Sequence, residues 1–238
     1  MLNAIAAALA RAFVLLADRR VVMLLVVPVA AGVALWVALA LAFWAPLSDA
    51  IAALIAGWGV GSGYAWLGAA AGNLAAFIVL TAASGLLALA AIAVFAGPVF
   101  TRAVESHWHP ALERKAGGTF AGSLANAAVA IAVFVPLWLL ALPLALFPPA
   151  GIAATLLLNA WLNQRLFRYD ALAEHASPDE RRRVIASARG RFFGLGLVLA
   201  PLSFVPFVNL IAPIYAGLAL TCLALDELAA LRQRTGAR

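Results

Sequence analysis

Charged residues are scarce in this sequence. Asp, Glu, Lys and Arg make up 11% of its 238 residues, where a soluble domain carries about 25%, and the shortfall excludes an ordinary water-soluble globule. Cysteine is scarcer still. Cys222 is the only one and stands inside an apolar stretch, so neither a disulfide framework nor a multi-cysteine metal site can form. Catalytic signatures are missing as well: there is no HExxH, no GxSxG and no phosphate-binding loop, and no carboxylate interrupts the long apolar runs. An intramembrane protease or a nucleotide-driven pump lacks its parts. The acids and histidines that relay protons inside membrane transporters are absent from those runs too, which turns a transport reading toward passive or facilitated passage. His107-Trp108-His109, beside Glu105 and Glu113, imitates a metal site. Helical residues two apart point to different faces and Pro110 interrupts just afterwards, so a solvated segment is expected instead. The sequence predicts no enzyme, no catalytic residue, no metal and no cofactor.

What the chain does have is apolar length. Hydrophobic residues fill 66% of it, and its mean hydropathy is +1.03. Apart from Asp49, the charges fall in four clusters, Arg11–Arg20, Arg102–Lys115, Arg165–Arg191 and Asp226–Arg238. The uncharged runs between them are Val21–Ser48, Ala50–Thr101, Ala116–Gln164 and Phe192–Leu225. Each can enter a bilayer core that roughly 20 apolar helical residues cross. An all-α, polytopic membrane protein follows, with the lipid bilayer as its first partner. Its net charge of +6 reflects basic loops beside membrane spans, and no nucleic-acid partner is expected. Ala38, Leu39 and Ala40 make a weakly cleavage-like pattern, but the run Val21–Trp44 is longer than the roughly 7 to 15 residues of a signal segment. It reads as a retained span.

All 16 Lys and Arg lie in the four clusters, which the positive-inside rule puts on the cytoplasmic face. Each region between clusters must then return to the side it left. Residues 1–20 read as an interfacial helix. Residues 21–101 read as two long transmembrane helices, one at about Val21–Trp44 and one from Tyr64 towards Val99. An external turn rich in breakers (Pro46, Gly57, Gly59, Gly61, Gly63) separates them, and a break near Ser84 and Gly85 is the alternative. Residues 116–164, divided by Pro148, Pro149 and Gly151 with Pro136 and Pro143 earlier, read as a first helical hairpin.

Residues 165–191 read as a cytoplasmic amphipathic segment. In it Ser177-Pro178-Asp179-Glu180 starts a helix running to about Gly190, with Arg181, Arg182, Arg183 and Arg189 set for anionic headgroups. Residues 192–225 are too many for one simple crossing and too few for two, and both flanks are basic. A re-entrant hairpin fits, with its tip among Pro201, Pro206, Asn209 and Pro213, and a single proline-kinked span is the alternative. Residues 226–238 form a basic tail. Asn126, Asn159, Asn163, Gln164, Ser203, Asn209 and Thr221 are expected as interhelical hydrogen-bonding groups.

One set of residues carries a likeness. It comprises Trp161-Leu-Asn163-Gln-Arg165-Leu-Phe-Arg168-Tyr169-Asp170-Ala-Leu-Ala-Glu174-His175-Ala, then Phe193-Gly194-Leu, then Val205-Pro206-Phe-Val-Asn209-Leu210-Ile-Ala-Pro213 with Gly217 following, and a weaker Gly97-Pro98-Val. The chain resembles the EI24-domain family of CysZ-like sulfate permeases over most of its length. Its long form Asn-Gln-Arg-Leu-Phe-Arg-Tyr-Asp-Ala-Leu is similar to a proteobacterial branch rather than to close kin of the permease.

The resemblance implies a single membrane domain over residues 1–238, with two long transmembrane helices and two hemi-penetrating helical pairs. It also implies a homo-oligomer in the bacterial inner membrane that passes a small inorganic anion, sulfate. In that family a Gly-Leu-Arg-Arg element before the first long span holds sulfate, and here the stretch reads Ala17-Asp18-Arg19-Arg20. Arg19 and Arg20 keep the charge to pair an oxyanion. The glycine is missing, Asp18 stands beside them, and anchoring the first span is their other role. Asn163, Arg165, Tyr169, Asp170, Gly194, Pro206, Asn209 and Pro213 are motif residues with a structural or pathway role. Two functions follow: a channel or permease for an oxyanion, or a non-transporting oligomeric scaffold.

Overall fold

A backbone in lipid must satisfy its hydrogen bonds within the protein, and a helix does so locally. In the computed structural model, which describes residues 2–57, 65–115, 117–206 and 208–236, every regular element is helical. The α-helices are α1 (Leu2–Leu15), α2 (Arg19–Gly57), α3 (Ala65–Trp108), α4 (Phe120–Ala141), α5 (Pro148–Ala173), α6 (Pro178–Leu199) and α7 (Val208–Gly236). Among the described residues, 5 segments are long and apolar enough to cross a membrane: Arg19–Gly57, Trp66–Gly85, Phe120–Leu144, Pro178–Phe204 and Ile211–Gly236. The chain is a multi-pass membrane protein.

Several helix ends differ from those expected. Instead of turning at Pro46, α2 runs through Pro28 and Pro46 to Gly57. A proline removes one donor from the ladder, while the turns on either side keep theirs, and inside a membrane protein nothing outside the helix competes for them. α3 is one helix through Ser84, Gly85 and Pro98 and ends at Trp108, past the expected limit near Val99. There Thr101 Oγ1 donates to the Gly97 carbonyl at 2.9 Å. The breakers Gly59, Gly61 and Gly63, and the expected helix start at Tyr64, lie outside the described residues. At about 1.5 Å per residue, the 39 residues of α2 and the 44 of α3 exceed the roughly 30 Å of a bilayer core.

The chain forms two compact units, residues 23–95 and residues 1–22 with 96–238. In the first, α2 and α3 run antiparallel. Trp36 Nε1 donates to Thr81 Oγ1 at 3.1 Å, and Trp44 Nε1 to Asn73 Oδ1 at 2.8 Å. A buried stripe, Gly72, Ala76, Leu80 and Ser84, repeats every fourth residue. Its glycine lets the backbones meet, because a Cβ on Gly72 would stand 2.4 Å from the Ser48 carbonyl oxygen.

In the second unit α7 is the centre, and every residue from Ala216 to Leu225 is buried. α1 covers one flank with Ile5, Ala8, Ala12 and Leu15, and Tyr215 Oη donates to the Leu9 carbonyl at 3.0 Å. The interfacial helix expected at residues 1–20 therefore has one face inside protein, and its outer face shows Leu2 and Phe13. α4 and α5 pair antiparallel: Asn126 Nδ2 donates to the Arg165 carbonyl at 3.3 Å and Gly118 N to the Ala173 carbonyl at 2.8 Å. α6 and α7 do the same, with Arg191 and Glu227 joined at 2.5 Å.

The stretch 165–191 comprises the end of α5, a turn at residues 174–177 and most of α6. Charge does not stop a helix whose apolar face continues, and Ala171, Leu172, Val184, Ala188 and Phe192 stay buried across the charged cluster. Ser177 caps α6 as expected: its Oγ accepts from Glu180 N at 3.2 Å and Glu180 Oε2 accepts from Ser177 N at 2.9 Å. α6 passes Gly190, around which there is open space, and ends at Leu199. A short 3-10 turn, Ala200–Phe204, then leads to α7, so Pro206 lies in the turn and Pro213 inside the helix.

Candidate functional site

Charge collects where α2 begins and α3 ends. Asp18 is the N-cap of α2, its Oδ1 accepting from Arg20 N at 2.7 Å. The aspartate beside the arginine pair is thus turned to the helix start, and its other oxygen lies 3.8 Å from His107. Arg20 Nη1 reaches the Ser106 hydroxyl at 3.4 Å. With Val99, Arg102, Glu105, Pro110 and Arg114, these two residues line a cavity of about 730 Å³. Positions 99, 102 and 106 follow the three-and-four spacing of one helix face, and Pro110 ends that helix so that Arg114 can return to it.

The carboxylate in the cavity is already engaged. Arg114 Nε donates to Glu105 Oε1 at 3.0 Å, and its Nη2 to Oε2. This guanidinium fork holds the Glu105 carboxyl below its ordinary value against the opposing effect of burial. Arg20 and Arg102 have no carboxylate partner among the described residues. Two guanidiniums left over in one recess can take a divalent oxyanion through charge-assisted hydrogen bonds. Arg19 is exposed and not among the lining residues, because successive helical residues diverge by about 100°. Reading the sequence had singled out Arg20 but not Arg102, Ser106 or Arg114. The signal for Arg102 and Ser106 was the helical spacing in front of Pro110.

Behind Glu105 lies His175, with no exposed side-chain surface and Nε2 3.5 Å from Glu105 Oε2. Neither ring nitrogen has a hydrogen-bond partner, and burial lowers its pKa from the ordinary 6.5. Arg232 closes this end of the unit. It donates to Glu180 through Nε and Nη2 at 3.1 and 3.0 Å, to the His175 carbonyl at 2.6 Å and to the Glu113 carbonyl at 2.9 Å. Lys115 Nζ joins Glu180 at 2.9 Å.

The motif residues lie away from that cavity. Arg165 holds its guanidinium over Trp161, and the Tyr169 ring lies under Arg181. Asp170 faces Gly97, and burial pushes its carboxyl up, partly offset by Ser123. Asn163 and Gly194 are half-buried on α5 and α6, while Pro206, Asn209 and Pro213 are exposed. The tight approach on α6 belongs to Gly196, where a Cβ would stand 2.8 Å from the Ala160 carbonyl oxygen. His109 Nε2 lies 2.9 Å from Asp226 Oδ1 while His107 faces Asp18, so the two histidines diverge. Among the described residues no group of three or more His, Cys, Asp or Glu is arranged to hold a metal.

A family model described as sulfate transporter CysZ/etoposide-induced protein 2.4 matches residues 8–213. Neither the curated proteins nor the solved structures contain a match.

Proposed function

The chain belongs to the EI24 family of sulfate transporter CysZ and etoposide-induced protein 2.4, and on that premise we propose that it is a channel or permease for a small oxyanion, sulfate foremost. The observation that carries the reading is the recess where Arg20 and Arg102 stand uncompensated beside the committed Arg114–Glu105 pair. A dianion entering it exchanges part of its hydration for guanidinium forks. Arg19, exposed one residue away, adds positive potential at the mouth. Passage is passive or facilitated, because the apolar runs hold no acid to couple it to protons and Asp49, the one carboxylate within α2, is exposed near its far end.

In this reading residues 1–238 are one membrane domain of the bacterial inner membrane. Residues 1–20 lie at the interface and α2 and α3 are two long transmembrane helices. The α4–α5 and α6–α7 pairs are helical hairpins, the second of them re-entrant. Asn163, Arg165, Tyr169, Asp170, Gly194, Pro206, Asn209 and Pro213 shape or border the route, and a homo-oligomer in the bilayer walls it off from lipid. No nucleic acid takes part. Flux of radiolabelled sulfate into proteoliposomes tests the proposal: the wild type exceeds empty vesicles, and Arg20→Ala with Arg102→Ala lowers the rate about tenfold or more. Folded protein whose flux equals that of empty vesicles removes it.

A second reading, a non-transporting scaffold, is favoured by the exposed Arg182, Arg183 and Arg189 of α6. It expects no flux, indifference to the Arg20 and Arg102 changes, and sensitivity within residues 165–191.

A further inference from the structure

A second group of arginines, Arg165, Arg168 and Arg189, makes no ion pair among the described residues. The uncharged run that fills most of α5 ends at Gln164, and the one that begins in α6 starts at Phe192. Arg165 and Arg168 stand just beyond the first edge and Arg189 just before the second, at the depth where a membrane gives way to water. Gly196 against the Ala160 carbonyl sets the register of this antiparallel pair. It brings residues 165–168 level with residues 188–191.

Charge here is not neutralised. Arg168 is half-buried, and its guanidinium is made less basic by burial first and then by Arg165 and Arg189. Among the described residues, none of the three has an ion-pair partner, although Arg191 nearby has Glu227 at 2.5 Å. Asp170, the carboxylate nearest in sequence, faces Gly97 on another side of α5. Arg165 Nε is buried without an acceptor, and the guanidinium lies 5.4 Å from the Trp161 ring centre. Like charges partly withdrawn from water and left unpaired are costly, and an anion seated among them relieves that cost. Deeper along the pair, Leu157 of α5 and Leu197 of α6 are exposed. They offer an apolar strip beneath the charges.

We propose that Arg165, Arg168 and Arg189 bind the phosphate of an anionic phospholipid, whose acyl chains lie along Leu157 and Leu197. The strip selects a lipid over a free anion, because a soluble anion has no use for apolar surface next to its charge. The site is separate from the Arg20 cavity and stands whether or not the protein moves sulfate.

The test uses the full chain in detergent, with native mass spectrometry counting bound lipid and thermal unfolding reading stabilisation. Phosphatidylglycerol, phosphatidylcholine and glycerol 3-phosphate are added in separate arms. Phosphatidylglycerol is expected to be retained and to raise the midpoint, with no comparable effect from the other two. Arg168→Gln with Arg189→Gln weakens its retention about tenfold or more, while the exposed Arg234→Gln leaves it unchanged. If the double variant fails to fold, Arg189→Gln alone suffices, since that side chain is exposed. Equal retention in the arginine variants, equal retention of phosphatidylcholine, or displacement of the lipid by glycerol 3-phosphate each overturns the proposal.

Discussion

His175 links burial to acidity. Its ring is enclosed beside Glu105, and burial favours the neutral form, so its folded pKa lies below the ordinary 6.5. Between those two values the unfolded chain takes up a proton that the folded chain refuses, and stability therefore falls as pH drops below 6.5. Glu105 acts in the same direction further down: its support is present above the ordinary 4.5 and is lost as pH falls through its lowered value. Thermal midpoints at about pH 7.5 and about pH 5.5 should show a fall in the wild type that His175→Gln reduces, and parallel falls would refute the assignment. Arg232 is the other enclosed charge, and Arg232→Ala should cost about 3 kcal/mol by leaving Glu180 and two carbonyls with fewer donors. Unfolding that matches the wild type would count against this. Of the cavity's charges, sequence reading reached Arg20 through the likeness of Ala17-Asp18-Arg19-Arg20 to the family's anion-holding element. Arg114 escaped it because a loop, not a helix period, carries that residue back to Glu105.

Helix starts were easier to read than helix ends. Ser177 and Glu180 announce α6 because their bonds are local and complete within one turn. Ser177→Ala should cost about 1 kcal/mol, measured as a shift in the unfolding midpoint, and no shift would mean that the cap adds nothing. Ends were misread at Pro46, Val99 and Gly190, the first and last of them breakers in water, because tertiary contact and a surrounding without competing hydrogen bonds keep such helices going. Two of the glycines where helix backbones meet were not legible either. Gly194 stood in the motif, yet Gly196 meets the Ala160 carbonyl and Gly72 meets Ser48. Only the facing helix distinguishes them. Alanine at either position should cost about 1 to 3 kcal/mol through overpacking against backbone that cannot rotate away. Alanine variants as stable as the parent would show that the helices can separate without penalty.

At the scale of the whole chain, the distribution of charge was enough to mark a multi-pass helical membrane protein, and the stretch from Trp161 to Pro213 was enough to mark its family. How the helices pack inside each unit was not legible, because 66% hydrophobic composition makes lipid-facing and protein-facing sides look alike. The proposed re-entrant pair puts both of its basic flanks on one side. With Cys222→Ala as background, single cysteines at Arg191 and Arg238 should react with an impermeant thiol reagent from the same face of sealed vesicles, and reaction from opposite faces would defeat it. Hydropathy marks both α4 and α7 as spans, yet the apolar stretch of α4 is 6% buried and that of α7 is 67% buried. The stretch Ala216–Leu225, buried residue by residue among its own neighbours, is kept from the oil. Its composition answers to shape rather than to solubility, and a hydrophobic photoreagent dissolved in the bilayer should mark α4 heavily while passing residues 216–225 of α7 by.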